Sequence, residues 1–306
     1  MQVNRPDFVI PGAMKAGTTA VADILAEIPG IGFSVPKEPG FLMRHDYEQE
    51  NPGSVPFTPD RLDDLYSACF RAAPVGALTG EATVAYFTDE TSPEILVARN
   101  PEVKAIILLR DPAKRAFSGY SYCRSIYFEP AETLDAALAQ ELEGARDRFW
   151  PTLRHMHYSD YPQHLRRWKT QLKAGHLLIL EFEDFIANPK DGIDRICAFL
   201  GIEAPEVLPT KERSNVTVVL DSPLKRAVMK ILHSRNGLKS IVKPLLPGRF
   251  REKLKVRIQD RLAAGQEKPE PMSAWCKETL NARFAGMQTV LAEEFDFHPQ
   301  HWTSGK

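Results

Sequence analysis

The residues with the clearest chemical potential stand near the start of the chain, in FVIPGAMKAGTTAVADIL, Phe8 to Leu25. Gly12 and Gly17 bound a loop that carries Lys15 and Ala16, and Thr18 and Thr19 follow at once. An apolar strand, a glycine-bearing loop and a helix start make an anion site, because backbone N–H groups and the positive end of the helix dipole point at one spot. The spacing is not that of the nucleoside-triphosphate loop G-x-x-x-x-G-K-[ST], where the lysine follows the second glycine. Here Thr18 follows Gly17, and Lys15 comes two residues earlier. A second set lies in LLRDPAKRAFSGYSYCR. Arg110 suits bidentate phosphate contact. Ser118 comes four residues after Lys114, on the same helix face. Two such sites fit a nucleotide with phosphate at both ends of its ribose.

These residues need elements to hold them. Phe8-Val9-Ile10 reads as a short buried strand, and Val21, Ile24, Leu25 and Ile28 recur at helical spacing after Thr18. Ile31 to Val35 is a second strand, running into the turn-rich PKEPGFLM. A helix is expected from Asp60 to about Ala72, then a short strand and loop in ALTGEATVAYF, then a helix from Ser92 to about Arg99. KAIILLRDP carries a continuous apolar run, as for a parallel strand covered on both faces, with Pro112 opening the next helix. Leu134 to Leu142 and Tyr161 to Leu172 read as helices, with 144–160 between them as loop. HLLILEFEDF reads as a further strand, and DGIDRICAFLGI as a helix stopped by Gly201. Met272 to Trp302 reads as one helix and an aromatic tail. The alternation predicts an α/β fold, a P-loop-like doubly wound parallel sheet flanked by helices, with a helical C-terminal extension. The α/β core is placed at 1–215 and the extension, packed on the same domain, at 216–306. Ligands of such sheets sit at the carboxyl ends of the strands, where Lys15 and Arg110 both fall.

Composition narrows the function classes. The chain has 306 residues, 39 Lys or Arg against 40 Asp or Glu, and a net charge of −1, so it is not built to coat nucleic acid. Cys69, Cys123, Cys197 and Cys276 lie far apart without metal-ligand or redox spacing. Free thiols, the lack of a signal-like start and the lack of a long apolar run lead to a cytoplasmic expectation. Residues 224–261 hold twelve Lys or Arg against Glu252 and Asp260, with apolar residues at helical spacing. A helix pair packed on its own domain is the plain reading, and weak contact with a membrane surface the other. Nothing here sets an oligomeric state.

The two phosphate motifs, in order and at two strand ends, resemble those of sulfotransferases that use 3′-phosphoadenosine 5′-phosphosulfate (PAPS). KAGTT is similar to their 5′-phosphosulfate loop, LLRDPAKRAFSGY to their 3′-phosphate site, and SDYPQHLRRWKTQLKAGHLLILEFEDFIANP to the helix and strand that follow. The likeness runs from about Phe8 to about Gly201 and is nearest to the heparan-type carbohydrate branch and its bacterial relatives. It implies that Lys15 contacts the oxygen bridging phosphate and sulfate, that Ala16, Gly17, Thr18 and Thr19 hold the 5′-phosphate, and that Arg110 and Ser118 grip the 3′-phosphate. Arg213, in TKERSNVTV, follows the point where relatives close a loop over the nucleotide. Glu38 in EPGF matches the acceptor base, with His155 or His157 as the second choice. The resemblance implies PAPS as co-substrate, its desulfated product PAP, no required metal, and a carbohydrate or small-molecule acceptor with a hydroxyl or amine. One departure stands out: the carbohydrate enzymes carry a Lys where this chain has Ala82, so that one cation is either missing or supplied elsewhere, with Lys37 as the candidate. The rival readings are a P-loop nucleotide kinase and a non-catalytic nucleotide-binding protein of the same fold.

Overall fold

The computed structural model describes residues 5–43, 59–126, 128–209 and 270–305. The 215/216 boundary, Arg213 and the basic stretch 224–261 lie outside the described residues. What is described groups into two units. The first draws on Met1–Arg115, Tyr158–Glu212 and Leu280–Lys306, and the second on Ala116–His157 and Arg213–Thr279.

The first unit is built on a five-stranded, wholly parallel sheet in the order β2-β3-β1-β4-β5. The strands are β1 (Phe8–Gly12), β2 (Ile31–Phe33), β3 (Leu78–Glu81), β4 (Lys104–Leu109) and β5 (Leu177–Glu181). Between them run α1 (Thr18–Leu25), α2 (Pro59–Ala68), α3 (Ser92–Arg99), α4 (Pro112–Ser125), α5 (Leu134–Leu142), α6 (His155–Ser159) and α7 (Tyr161–Gln171). After β5 come α8 (Phe182–Ala187), α9 (Pro189–Leu200), α10 (Ala274–Arg283) and α11 (Met287–Phe295). β1 and β4 lie side by side at the centre, and Phe8, Val9, Ile10 and every residue of Ala105–Leu109 are fully buried. That explains their unbroken apolar runs: no face of a central parallel strand meets water.

Several elements differ from their sequence-based expectation. β5 stops at Glu181, and FEDF turns into α8 instead of extending the strand. α2 ends at Ala68, short of Ala72. Residues 144–160 are not all loop, since Pro151–Leu153 forms a 3-10 turn and α6 follows. The C-terminal helix is two helices. Gly286 sits at φ 75, a left-handed conformation that breaks the helical run where a β-carbon would be disfavoured. The aromatic tail docks as expected: Trp302 is buried, with its ring 5.7 Å from Tyr161 and 5.8 Å from Phe297.

Within the second unit, a buried salt bridge organises the chain. Arg146 meets Glu129 with Nη2–Oε1 at 2.6 Å and Nη1–Oε2 at 2.9 Å, and His155 Nε2 is 2.8 Å from Glu129 Oε2. Burial raises the Glu129 carboxyl, but hydrogen bonds from His155 and Arg146 outweigh it and hold it down to about 2. Among the described residues, no helix is long and apolar enough to cross a membrane.

Candidate active site

The loop between β1 and α1 is shaped by two left-handed residues, Lys15 at φ 70 and Gly17 at φ 83. A lysine in that region is uncommon and marks a backbone constrained by its surroundings. Gly17 has a second reason to be glycine, since an added β-carbon would lie 2.9 Å from two atoms of the Phe182 ring. Gly17 is also the N-cap of α1, makes no side-chain cap, and no acidic residue stands in the first turn. The positive end of α1 is therefore neither capped by a side chain nor offset by a carboxylate, which suits an anion. The loop is fastened from outside. Ala13 N–H donates to the Leu108 carbonyl at 2.7 Å, and Met14 N–H donates to the Tyr158 hydroxyl at 3.0 Å. Tyr158 in turn donates to the Val84 carbonyl at 2.8 Å, and Arg115 lies 4.6 Å over its ring.

Arg110, just past the end of β4, leans into the same place. Its Nη1 donates to the Lys15 carbonyl at 3.1 Å, and its guanidinium lies 4.9 Å over the Phe182 ring. Its Nε is buried and has no hydrogen-bond partner among the described residues, with Glu183 Oε1 4.0 Å away. Burial lowers the guanidinium from its ordinary value while raising the Glu183 carboxyl. A buried cationic donor of this kind suits an oxyanion.

Asp111 next door is a clamp. It caps α4 through the N–H groups of Ala113 at 3.1 Å and Lys114 at 3.2 Å, and it also accepts from the N–H groups of Thr303 at 2.8 Å and Ser304 at 3.1 Å. Burial acts to raise its carboxyl, yet the hydrogen bonds, with Ser304 first, hold it below the usual range. Glu181, at the end of β5, accepts from Gln300 N–H and His301 N–H, each at 2.8 Å. The C-terminal tail is thus tied to two strand ends.

On the other side of the phosphate loop stands the segment after β2. Lys37 Nζ donates to Thr19 Oγ1 at 3.1 Å and pairs with Glu38 Oε1 at 3.0 Å. Glu38 is 42% exposed, open to a soluble partner. Ala82 is buried, and its N–H donates to the Lys37 carbonyl at 3.0 Å.

The first unit therefore gathers Lys15, Ala16, Gly17, Thr18, Thr19, Lys37, Glu38 and Arg110 at the carboxyl ends of β1, β2 and β4. Ser118 is half-buried on α4, in the part of that helix belonging to the second unit. His155 is fully buried against Glu129, and the His157 N–H donates to Glu141 Oε1 at 2.7 Å, both within the second unit. Phe182, Glu183 and Tyr158 escaped the sequence reading. FEDF reads as part of a strand, which hides Phe182 and Glu183 at a strand end; Tyr158 has no local signal, since its role is a contact with a loop 144 residues away.

A parallel sheet whose first strand opens into a lysine-bearing glycine loop and a helix, with a second cation at the next strand end, defines the P-loop-like nucleotide-binding class. The Sulfotransferase domain pattern matches residues 5–219, and the chain belongs to the sulfotransferase family. Heparan sulfate glucosamine 3-O-sulfotransferase 6 of Homo sapiens is 28% identical over 199 residues, which are 65% of this chain and 53% of that protein. The bifunctional heparan sulfate N-deacetylase/N-sulfotransferase 2 of Bos taurus is 30% identical over 205 residues, 64% of this chain and 22% of that protein. The chain thus spans about half the length of the first of these relatives and less of the second. Among solved structures, a sulfotransferase from Alicyclobacillus acidocaldarius superposes with a TM-score of 0.59 at 26% identity, covering 70% of this chain and 87% of that one.

Proposed function

We propose that this chain moves a sulfuryl group from PAPS to a hydroxyl or amine of a carbohydrate or small-molecule acceptor. The observation that carries the reading is the convergence of Lys15 and Arg110 on one loop, with Arg110 Nη1 3.1 Å from the Lys15 carbonyl and Nε buried without a partner among the described residues. Lys15 and the N-terminus of α1, with Thr18 and Thr19, face the 5′-phosphosulfate. Arg110 takes the 3′-phosphate, and the family resemblance also assigns Ser118 and Arg213 to the nucleotide. In the transfer, the bond between sulfur and the bridging oxygen breaks as a bond from sulfur to the acceptor oxygen or nitrogen forms. Lys15 neutralises charge growing on the leaving oxygen. Glu38 takes the acceptor proton. Lys37, between Thr19 and Glu38, supplies the cation that Ala82 does not.

The heparan relatives support a sugar acceptor, and the half-exposed Glu38 supports one that arrives from solvent. Cys69, Cys123, Cys197 and Cys276 are buried free thiols, which suits a reducing, cytoplasmic setting. The test is a thermal melt with PAP, AMP and ATP, followed by a screen of radiolabelled PAPS against glucosamine oligosaccharides, phenols and amines. PAP at 100 times its dissociation constant adds about 2.7 kcal/mol and raises Tm visibly. Equal shifts with AMP remove the second phosphate site, and a larger shift with ATP turns the reading to a P-loop kinase. PAP binding without turnover on any acceptor favours a nucleotide-binding protein.

A further inference from the structure

β3 ends in a carboxylate that the reaction above does not use. Glu81 is fully buried. Burying a carboxyl among apolar side chains is unfavourable unless its oxygens are bonded. Three hydroxyls meet it. Tyr66, from α2, donates to Oε1 at 2.5 Å, Thr83 donates to Oε2, and the Tyr86 hydroxyl hydrogen-bonds to it as well.

Two of these hydroxyls also hold backbone from elsewhere. Thr83 Oγ1 accepts Gly40 N–H at 3.2 Å, and the Tyr86 hydroxyl accepts Leu42 N–H at 3.3 Å. Ala82 N–H donates to the Lys37 carbonyl at 3.0 Å. Ser92 Oγ donates to the Leu42 carbonyl at 3.3 Å. The loop is thus fixed at Lys37, Gly40 and Leu42, on both sides of Glu38, by the six residues from Glu81 to Tyr86. A hydroxyl hydrogen-bonded to a carboxyl group has its rotor fixed, so its lone pairs are aimed; such chains also strengthen one another. Lys37 and Glu38 have long flexible side chains, and a fixed backbone limits where their charged ends can reach.

We propose that Glu81 is a positioning residue for the acceptor side of the site: through Thr83 and Tyr86 it fixes the 37–42 loop and so the place of Lys37 and Glu38 against the phosphate loop. This rests on the reading of Glu38 as the acceptor base.

The experiment uses the full chain. Amide hydrogen exchange at Gly40 and Leu42 reads the positioning directly, PAP affinity reads the donor site, and turnover uses the best acceptor of the screen. In Glu81→Leu, exchange at both amides is expected to rise about tenfold, the equivalent of one hydrogen bond lost. PAP affinity is expected to stay within about twofold, well under one hydrogen bond, while kcat falls about tenfold. Glu81→Gln keeps the shape and an acceptor oxygen and is expected to restore most of both losses. Should Glu81→Leu fail to fold, the double variant Thr83→Val with Tyr86→Phe removes both relays and carries the same expectation. Unchanged exchange at Gly40 and Leu42 in a folded variant overturns the proposal. So does a loss of PAP affinity equal to the loss of turnover, or no rescue by Gln. The base reading fails separately, when Glu38→Gln keeps its turnover while the exchange result stands.

Discussion

The two halves of the carboxyl edge of the sheet are built differently. On the β1–β4–β5 side, recognition groups sit where a strand passes within a few residues into a helix. Lys15 and Arg110 stand in the turns into α1 and α4, and the Lys15 loop is also fastened by Leu108 and Tyr158. On the β2–β3 side, Lys37 and Glu38 ride on a loop that three long-range bonds from the segment after β3 hold. In the proposed reading the first side takes an anionic nucleotide with backbone N–H groups and cations. The second presents a half-exposed carboxylate to a partner of less defined shape. The contrast teaches that donor binding and acceptor chemistry can be lost separately.

The largest expected effect tests that separation. Glu38→Gln keeps shape and hydrogen bonding but removes the base, so turnover is expected to fall on the order of 10²–10⁴. PAP affinity and Tm, measured on the same preparation, stay at the wild-type values. Turnover within about threefold of wild type, well short of the general-base range, makes Glu38 a structural carboxylate and moves the question to His155→Ala and His157→Ala. Lys15→Ala crosses the divide: it is expected to weaken PAP and also to slow transfer by about 10²–10³, the range for removal of one transition-state donor. Loss of affinity alone would reduce Lys15 to a binding group.

Arg110→Ala acts on recognition only. Loss of a charge-assisted contact of about 1.5–3 kcal/mol is expected to erase most of the preference for PAP over AMP in a competitive titration. A preserved preference would place the 3′-phosphate elsewhere.

Stability divides the halves too. Asp111→Ala uncaps α4 and releases the 300–304 tail, and a Tm lower by about 5–10 °C is expected from a loss near 2–3 kcal/mol. An unchanged Tm would mean that the tail is held by Trp302 packing alone.

The smallest effect concerns pH. Burial raises the Glu81 carboxyl to about 7, even though Thr83, Tyr66 and Tyr86 hydrogen-bond to it. Tyr66, Tyr86 and Cys69 sense its charge in turn. Below the ordinary glutamate value of 4.5 both folded and unfolded chains hold the proton, so this group's contribution is complete. As pH rises toward about 7 the unfolded chain gives up the proton first, and that stability is lost. Glu81→Gln is therefore expected to flatten the fall in Tm between those values. A slope identical to wild type would show that Glu81 titrates as an ordinary carboxylate.

Local chemistry made much of this legible in the sequence. A glycine loop between an apolar strand and a helical repeat forms an anion site because the strand, the loop and the helix dipole are all determined within twenty residues. The run in KAIILL could only be a strand buried on both faces, and Pro112 after Asp111 could only open a helix. Those signals place Lys15, Gly17, Thr18, Thr19 and Arg110 at one edge of a parallel sheet. The tertiary structure decided what depends on residues far apart in the chain. Tyr158 fastens Met14, Phe182 excludes a side chain at Gly17, and Asp111 receives Thr303 and Ser304. Glu81 bonds hydroxyls that reach Gly40 and Leu42. None of these has a period or a spacing, because a hydrogen bond between segments is set by how strands order in the sheet, and the order β2-β3-β1-β4-β5 is written in no single stretch of residues.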